Sequence, residues 1–180
     1  MSRPKPDFLA ILRTLRKHGV DFIIVGGVAG VLHGAPLSTF DLEVVHSREP
    51  GNVDRLLSAL EELDARYRTH GDTSLKPRRS HLASAGHQLQ MTEAGPLDLL
   101  GTIGKGHAYG DLVPQTTELD VGKGLKTRVL NLAALIRNQG RDSAGKGPGP
   151  TGHSAPDTGG KIQEVSVFTA ASFAAQFLYN

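Results

Sequence analysis

Three carboxylates and a pair of glycines are the residues of this chain whose types and spacing could do chemistry. Asp41 and Glu43 lie two positions apart in the stretch STFDLEVVH. Successive side chains of a strand point to opposite faces, so both carboxylates are predicted to share one face. Neighbouring carboxylates repel each other unless water solvates them or a cation lies between them. The pair therefore indicates either a divalent-cation site or the solvated face of an edge strand.

The third carboxylate, Asp98, lies in a short apolar run, PLDLL. Burying a lone carboxylate is costly unless it is paired or binds a metal. The sequence leaves both readings of Asp98 open: a metal-binding residue, or a carboxylate that caps or forms a salt bridge.

The glycine pair, Gly26-Gly27, follows an apolar run, Phe22–Val25, and precedes a short segment with helical spacing. Backbone N–H groups at such a junction are free, and glycine lets a phosphate approach closely. The alternative is that the glycine pair forms an ordinary turn that binds no ligand. An anion-binding turn beside a divalent-cation site suggests metal-assisted nucleotide chemistry.

Hydrophobic periodicity predicts the elements that must position these residues. Apolar residues at helical spacing predict helices over Asp7 to His18 and Asn52 to Leu63, and a third that begins at Asn131. The predicted strands are Phe22–Val25, Phe40–Val45, Gln88–Met91, Pro96–Leu100, Thr117–Val121 and Leu125–Leu130. The basic segment from Arg66 to Ser80 is predicted as an exposed or partly helical loop, whose arginines hold phosphates or only face water.

The quoted residues resemble a family signature. Gly26-Gly27, Gly34 and Thr39-Phe40-Asp41-Leu42-Glu43 are similar to the pattern of the nucleotidyltransferase fold, the DNA polymerase beta superfamily. The likeness is to its small bacterial members, including those related to toxin–antitoxin and abortive-infection nucleotidyltransferases. Their pattern is Gly-Gly, a short helix, Asp-x-Asp or Asp-x-Glu on the next strand, and a third acid on a later strand. The resemblance covers about Asp7 to Arg137.

The resemblance implies a fold, an activity and a set of site residues. The fold is α/β (α+β), a small mixed sheet with helices mainly on one face. The activity is transfer of a nucleoside monophosphate from a nucleoside triphosphate, ATP included, to a hydroxyl acceptor on a protein, an RNA or a small molecule. The implied residues are Asp41, Glu43 and Asp98 as catalytic ligands of Mg²⁺ (or Mn²⁺), and Gly26, Gly27 and Thr39 as contacts to the nucleotide phosphates.

Two departures from the family pattern favour an alternative. Leu37 stands where many relatives carry a basic residue, and Val28 stands where many carry serine after the glycines. Both changes remove phosphate contacts. The alternatives are therefore a catalytically weak or inactive binding module that is itself an antitoxin-like partner of another protein, and a plain domain whose carboxylates only face water.

Composition sets outer bounds on the protein. At 180 residues the chain suits one domain with a real core, and its net charge of +2 is too small to argue for nucleic acid. The absence of cysteine excludes disulfides and thiolate metal sites. No apolar run approaches the roughly 20 residues that span a bilayer. We expect a soluble, cytoplasmic protein that does not bind membranes.

The C-terminal part differs in character. The domain is predicted to span residues 1–137, and residues 138–180 form a low-complexity tail, dense in glycine and proline up to Gly160 and predicted to be disordered. A permissible back-translation of Asn138 to Lys161, read one base later, gives IKEETRREKDRALLAILRRTLEEK, which has helical charge pairs and an apolar stripe. The hypothesis is a frameshift near codon 137, and resequencing the gene tests it. The alternative is a genuine flexible linker with a terminal interaction segment.

Overall fold

The computed structural model describes residues 5–36, 38–68 and 75–142, with side chains described as far as Asn138. In chain order the helices and strands are α1 Phe8–Lys17, β1 Phe22–Val25, α2 Gly26–Leu32, β2 Leu42–His46, α3 Pro50–Glu62, β3 Arg66–Tyr67, α4 Arg79–Leu82, β4 His87–Thr92, β5 Gly95–Leu100, α5 Tyr109–Leu112, a 3-10 turn Val113–Gln115, β6 Thr116–Asp120, β7 Lys126–Leu130 and α6 Leu132–Asp142.

The strands form one seven-stranded mixed sheet in the order β3-β4-β5-β2-β1-β7-β6. Strand β2 runs parallel to β5 and antiparallel to β1, and β1 runs parallel to β7. The remaining neighbours are antiparallel. The predicted fold class, a mixed sheet with packed helices, is confirmed, and all six predicted strands are present.

Helix α1 shows how the local sequence sets the elements. The Asp7 carboxylate accepts a hydrogen bond of 2.9 Å from the Ala10 backbone N–H, which satisfies a helix-start donor. The helix ends before Gly19, whose φ of 67° suits glycine. The apolar residues at helical spacing form its buried face: Phe8, Leu9, Ile11, Leu12 and Leu15. The helix predicted over Asp7 to His18 is therefore confirmed.

The core holds the central strands in a fixed register. All four residues of β1 are buried, and Leu42 and Val44 of β2 have no solvent exposure. A slip of one residue would bring acidic residues into the place of these core side chains, so burial specifies the face on which the acids lie. Helix α3 packs against α1 and α4, and α2 packs against β1, β2 and α6.

Two elements differ from the sequence expectation. Strand β3 lies at the start of the segment predicted as a loop, where Arg66 and Tyr67 pair with Met91 and Gln90 of β4. Two residues are too few to show a period, so the sequence carried no signal for it.

Helix α6 continues to Asp142, beyond the predicted boundary at residue 137. Residues 143–180 lie outside the described residues, so the predicted disorder of the tail and the frameshift hypothesis stay predictions. Among the described helices, none is long and apolar enough to cross a membrane.

Candidate active site

The sheet register brings the predicted acids onto one face. Glu43 of β2 lies directly beside Asp98 of the parallel strand β5. Partners in register point their side chains to the same face, so the two carboxylates are neighbours. Asp41 immediately precedes β2 and shares the face of Glu43 by strand alternation. The structure therefore gathers three acids, up to 57 positions apart in sequence, onto one region of the sheet.

The predicted glycine turn lies against one of these acids. The Gly27 backbone N–H donates a hydrogen bond of 3.2 Å to Oε2 of Glu43. Gly26 has a φ of 63°, and a Cβ atom added there would lie 1.6 Å from the same oxygen. A Cβ at Gly27 would lie 2.7 Å from Oγ1 of Thr39. Both glycines are thus required by close approach, and the turn donates to a carboxylate.

Thr39 supports the backbone next to the acids. Its side chain is buried, and its hydroxyl donates a hydrogen bond of 3.0 Å to the carbonyl oxygen of Asp41. The family resemblance implies a phosphate contact for this hydroxyl, which stays a prediction. In the structure it packs against Gly27 and fixes the chain that carries Asp41.

The guanidinium of Arg68, which the sequence did not assign to the site, lies between two of the acids. Arg68 donates through Nη2 to Oδ1 of Asp98, and its Nη1 lies 3.9 Å from Oδ2 of Asp41. Of the two alternatives for the basic segment, the one in which the arginines only face water is wrong for Arg68. Asp98 forms the ion pair that was one of the two open readings for it.

Burial and neighbouring charge change the acidity of Asp98. Burial raises the pKa of its carboxyl to about 6, and the Arg68 guanidinium opposes this shift. The negative charges of Asp41 and Glu43 raise the same pKa. The three carboxylates therefore lie within electrostatic reach of one another. A carboxyl with a pKa near neutrality can exchange a proton in a catalytic step.

The donor set fits a divalent cation in its chemistry, but not in its present arrangement. Three carboxylates on one face supply the oxygen ligands that Mg²⁺ and Mn²⁺ prefer. Within the described ranges, however, no three His, Asp or Glu side chains are already arranged to hold a metal. Two contacts explain this: Glu43 accepts from Gly27, and Asp98 accepts from Arg68. Metal binding therefore requires these two side chains to turn.

The structure describes one of the two positions that depart from the family pattern. Val28 is fully buried in the core, where it packs at the start of α2. An apolar core contact therefore occupies this position. Leu37, the other departure, lies outside the described residues.

Comparisons with known proteins agree with this fold. No protein-family model matches the sequence, and no curated protein matches it. A solved structure does: the crystal structure of a "putative nucleotidyltransferase" from Thermotoga maritima, with a TM-score of 0.50 and 15% sequence identity. The match covers 77% of this chain and 82% of that chain. At this identity the likeness shows the fold alone, so the chain shares the mixed α/β fold of that solved structure.

Proposed function

We propose that the protein is a metal-dependent nucleotidyltransferase that moves a nucleoside monophosphate from a nucleoside triphosphate to a hydroxyl acceptor. The observation that carries this proposal is the register of β2 and β5, which sets Glu43 beside Asp98. Like charges placed directly opposite each other destabilise a sheet, so their presence favours a function that needs them. The fold shared with a nucleotidyltransferase supports the same conclusion.

Asp41, Glu43 and Asp98 are the residues that would hold Mg²⁺ or Mn²⁺. The bound ion would neutralise negative charge on the triphosphate during the transfer. Glu43 would have to give up its hydrogen bond from Gly27 to hold the ion, and the N–H of Gly27 could then donate to a phosphate oxygen. Thr39 keeps the backbone of Asp41 in place throughout.

Asp98 is the residue proposed to take the acceptor's proton. The acceptor oxygen forms a bond to the α-phosphorus, the bond to pyrophosphate breaks, and the hydroxyl proton passes to a carboxylate oxygen of Asp98. A carboxyl whose pKa is raised to about 6 is mostly ionised at pH 7 yet more basic than an ordinary aspartate. The products are a nucleotidylated acceptor and pyrophosphate.

A second candidate function is a binding module that keeps the fold without turnover, an antitoxin-like protein with a protein partner. The ion pair between Arg68 and Asp98 favours it, because it occupies one of the three acids. The buried Val28 favours it as well, because it offers no hydroxyl to a phosphate.

Transfer of label separates the two candidates. The protein is incubated with ATP, GTP, CTP or UTP labelled at the α-phosphate, with Mg²⁺ or Mn²⁺ and with protein, RNA or small-molecule fractions as acceptors. We expect metal-dependent labelling or release of pyrophosphate that the double variant Asp41→Ala, Glu43→Ala loses. The absence of turnover with every nucleotide, despite metal-dependent nucleotide binding, would support the binding module. Absence of both turnover and binding would contradict both candidates.

A further inference from the structure

Arg68 occupies the position of a cation between two of the three acids. It directly follows β3, and its backbone N–H donates a hydrogen bond of 3.0 Å to the carbonyl of Leu89. Leu89 in turn lies opposite Asp98 in the next strand pair. The guanidinium therefore reaches across β4 to Asp98 from the outer edge of the sheet, and its second nitrogen faces Asp41 at 3.9 Å.

This ion pair is incompletely satisfied. The Arg68 side chain is 25% exposed and that of Asp98 is 10% exposed, so both charges have lost most of their water. The Nε atom of Arg68 is buried and has no hydrogen-bond partner among the described residues. A buried ion pair must offset its desolvation with good geometry and full hydrogen bonding, and a donor left unpaired makes that harder. This incomplete pairing favours exchange of the Arg68–Asp98 contact for contacts with other charged groups.

On the basis of the proposed function, we propose that Arg68 is a positioning residue that competes with free divalent metal for Asp98 and Asp41. It is released from these acids when a metal–nucleotide binds. The guanidinium and the ion need the same carboxylate oxygens, so they exclude each other. Arginine binds phosphate through a planar, forked set of N–H donors. The triphosphate thus offers Arg68 a new anionic partner at the moment that the carboxylates are needed for the metal.

Thermodynamic linkage turns this exchange into a measurable coupling. If nucleotide binding draws Arg68 away from the acids, nucleotide must raise the affinity for metal, and metal must raise the affinity for nucleotide by the same factor. Removing the guanidinium has two consequences. Free metal binds more tightly because its competitor is gone, and the coupling to nucleotide shrinks because there is no competitor left to release.

Arg66, on the edge strand that Arg68 follows, provides a matched control. It lies two residues before Arg68 and pairs with the neighbouring Asp64, at 3.0 Å from Nη2 to Oδ2. Arg66→Gln changes the net charge as Arg68→Gln does, and leaves the three acids untouched. Any general effect of lost positive charge on metal binding will appear in both variants.

The test is calorimetric titration of the full chain with Mn²⁺, alone and with a non-hydrolysable nucleoside triphosphate. Arg68→Gln is expected to bind free Mn²⁺ about tenfold more tightly than the wild type, because a hydrogen bond to a charged group is lost from the competing state. Arg66→Gln is expected to match the wild type within about twofold. The nucleotide should tighten Mn²⁺ binding in the wild type and do so less in Arg68→Gln.

Unchanged or weaker Mn²⁺ binding in Arg68→Gln would overturn the inference and leave the proposed function standing. Absence of Mn²⁺ binding in every variant, with and without nucleotide, would overturn both. Arg68→Lys keeps the charge and loses the forked geometry, and is expected to fall between wild type and Arg68→Gln. Where Arg68→Gln fails to fold, Arg68→Lys decides, and Mn²⁺ binding no tighter than the wild type would then overturn the inference.

Discussion

The sheet carries two pairs of acids with the same spacing, and their surroundings differ. Glu118 and Asp120 lie on β6, at the edge of the sheet, and are exposed. Their partners on β7 are basic: Arg128 lies opposite Glu118, and Lys126 lies opposite Asp120. Glu43 belongs to the central strand β2, Asp41 immediately precedes that strand, and Glu43 faces the acid Asp98.

The comparison shows that the spacing of two acids along a strand does not distinguish a candidate site from a solvated surface. The residues paired with the acids on the neighbouring strand do. Opposite charges across a strand pair stabilise a sheet, whereas like charges directly opposite destabilise it. The β6 pair is the ordinary solvated face of an edge strand. Asp41 and Glu43 lie beside Asp98, and the residues paired with Glu43 on the neighbouring strands do not neutralise this charge. The positive charge next to these acids is that of Arg68, in the segment after β3.

The largest expected effect comes from removing the β2 acids. Asp41→Ala with Glu43→Ala should lower nucleotidyl transfer by about 10³-fold or more, because two metal-binding carboxylates are lost. The matched control is Glu118→Ala with Asp120→Ala, which removes the same two side chains from β6. Transfer is measured as pyrophosphate release. Equal losses in the two double variants would remove the distinction between the pairs.

The next effect comes from the glycine turn. Gly26→Ala should lower transfer by about 10- to 100-fold and destabilise the protein by roughly 1–3 kcal/mol, because a Cβ would overlap the Glu43 carboxylate and the backbone would be strained. Gly34→Ala is the control: its φ is also positive, at 86°, but no atom lies within 4 Å of the added Cβ. Urea unfolding and transfer assays of both variants separate backbone strain from the contact with Glu43.

A smaller effect concerns pH and stability. The pKa of Asp98 rises from 3.8 to about 6 on folding, so between these values the folded state holds a proton that the unfolded state has lost. The contribution of Asp98 to stability therefore falls as pH rises through this window and is constant above it. Asp98→Asn has no such titration. Its free energy of unfolding, relative to the wild type, should increase from pH 4 to pH 7; a constant difference would contradict the raised pKa.

The smallest effect is expected at the surface ion pairs. The Lys17 ammonium lowers the pKa of Glu62, and Arg66 lowers the pKa of Asp64, as ordinary exposed partners do. Exposed pairs contribute little to stability because water and salt screen them. Arg66→Gln should shift the melting temperature by less than about 2 °C. A large shift, measured by differential scanning calorimetry, would place Arg66 in the same class as Arg68.

Sequence periodicity predicted most of the fold, because core burial enforces it. The strands that flank the glycine turn and the helix before them follow directly from apolar spacing. Strand alternation predicted that Asp41 and Glu43 share a face. It could not predict that Asp98 lies beside Glu43, since strand order and register depend on contacts between distant parts of the chain.

Arg68 was beyond sequence reasoning for a different reason. It follows a strand of only two residues, and its partner Asp98 lies 30 positions away, so neither a period nor a local charge pair marks it. The hydrogen bond from the Thr39 hydroxyl to the Asp41 carbonyl also carried no sequence signal, and a phosphate contact by Thr39 stays a prediction. In both cases the decisive contact is made by a side chain across the sheet or the turn.

The most direct test is a crystal structure of the protein with Mn²⁺ and a non-hydrolysable nucleoside triphosphate, with the ion located by its anomalous signal. The proposal predicts carboxylate oxygens of Asp41, Glu43 and Asp98 at about 2.1 Å from the ion, and Arg68 turned from Asp98 to a phosphate. An ion elsewhere, with Arg68 still bound to Asp98, would contradict it.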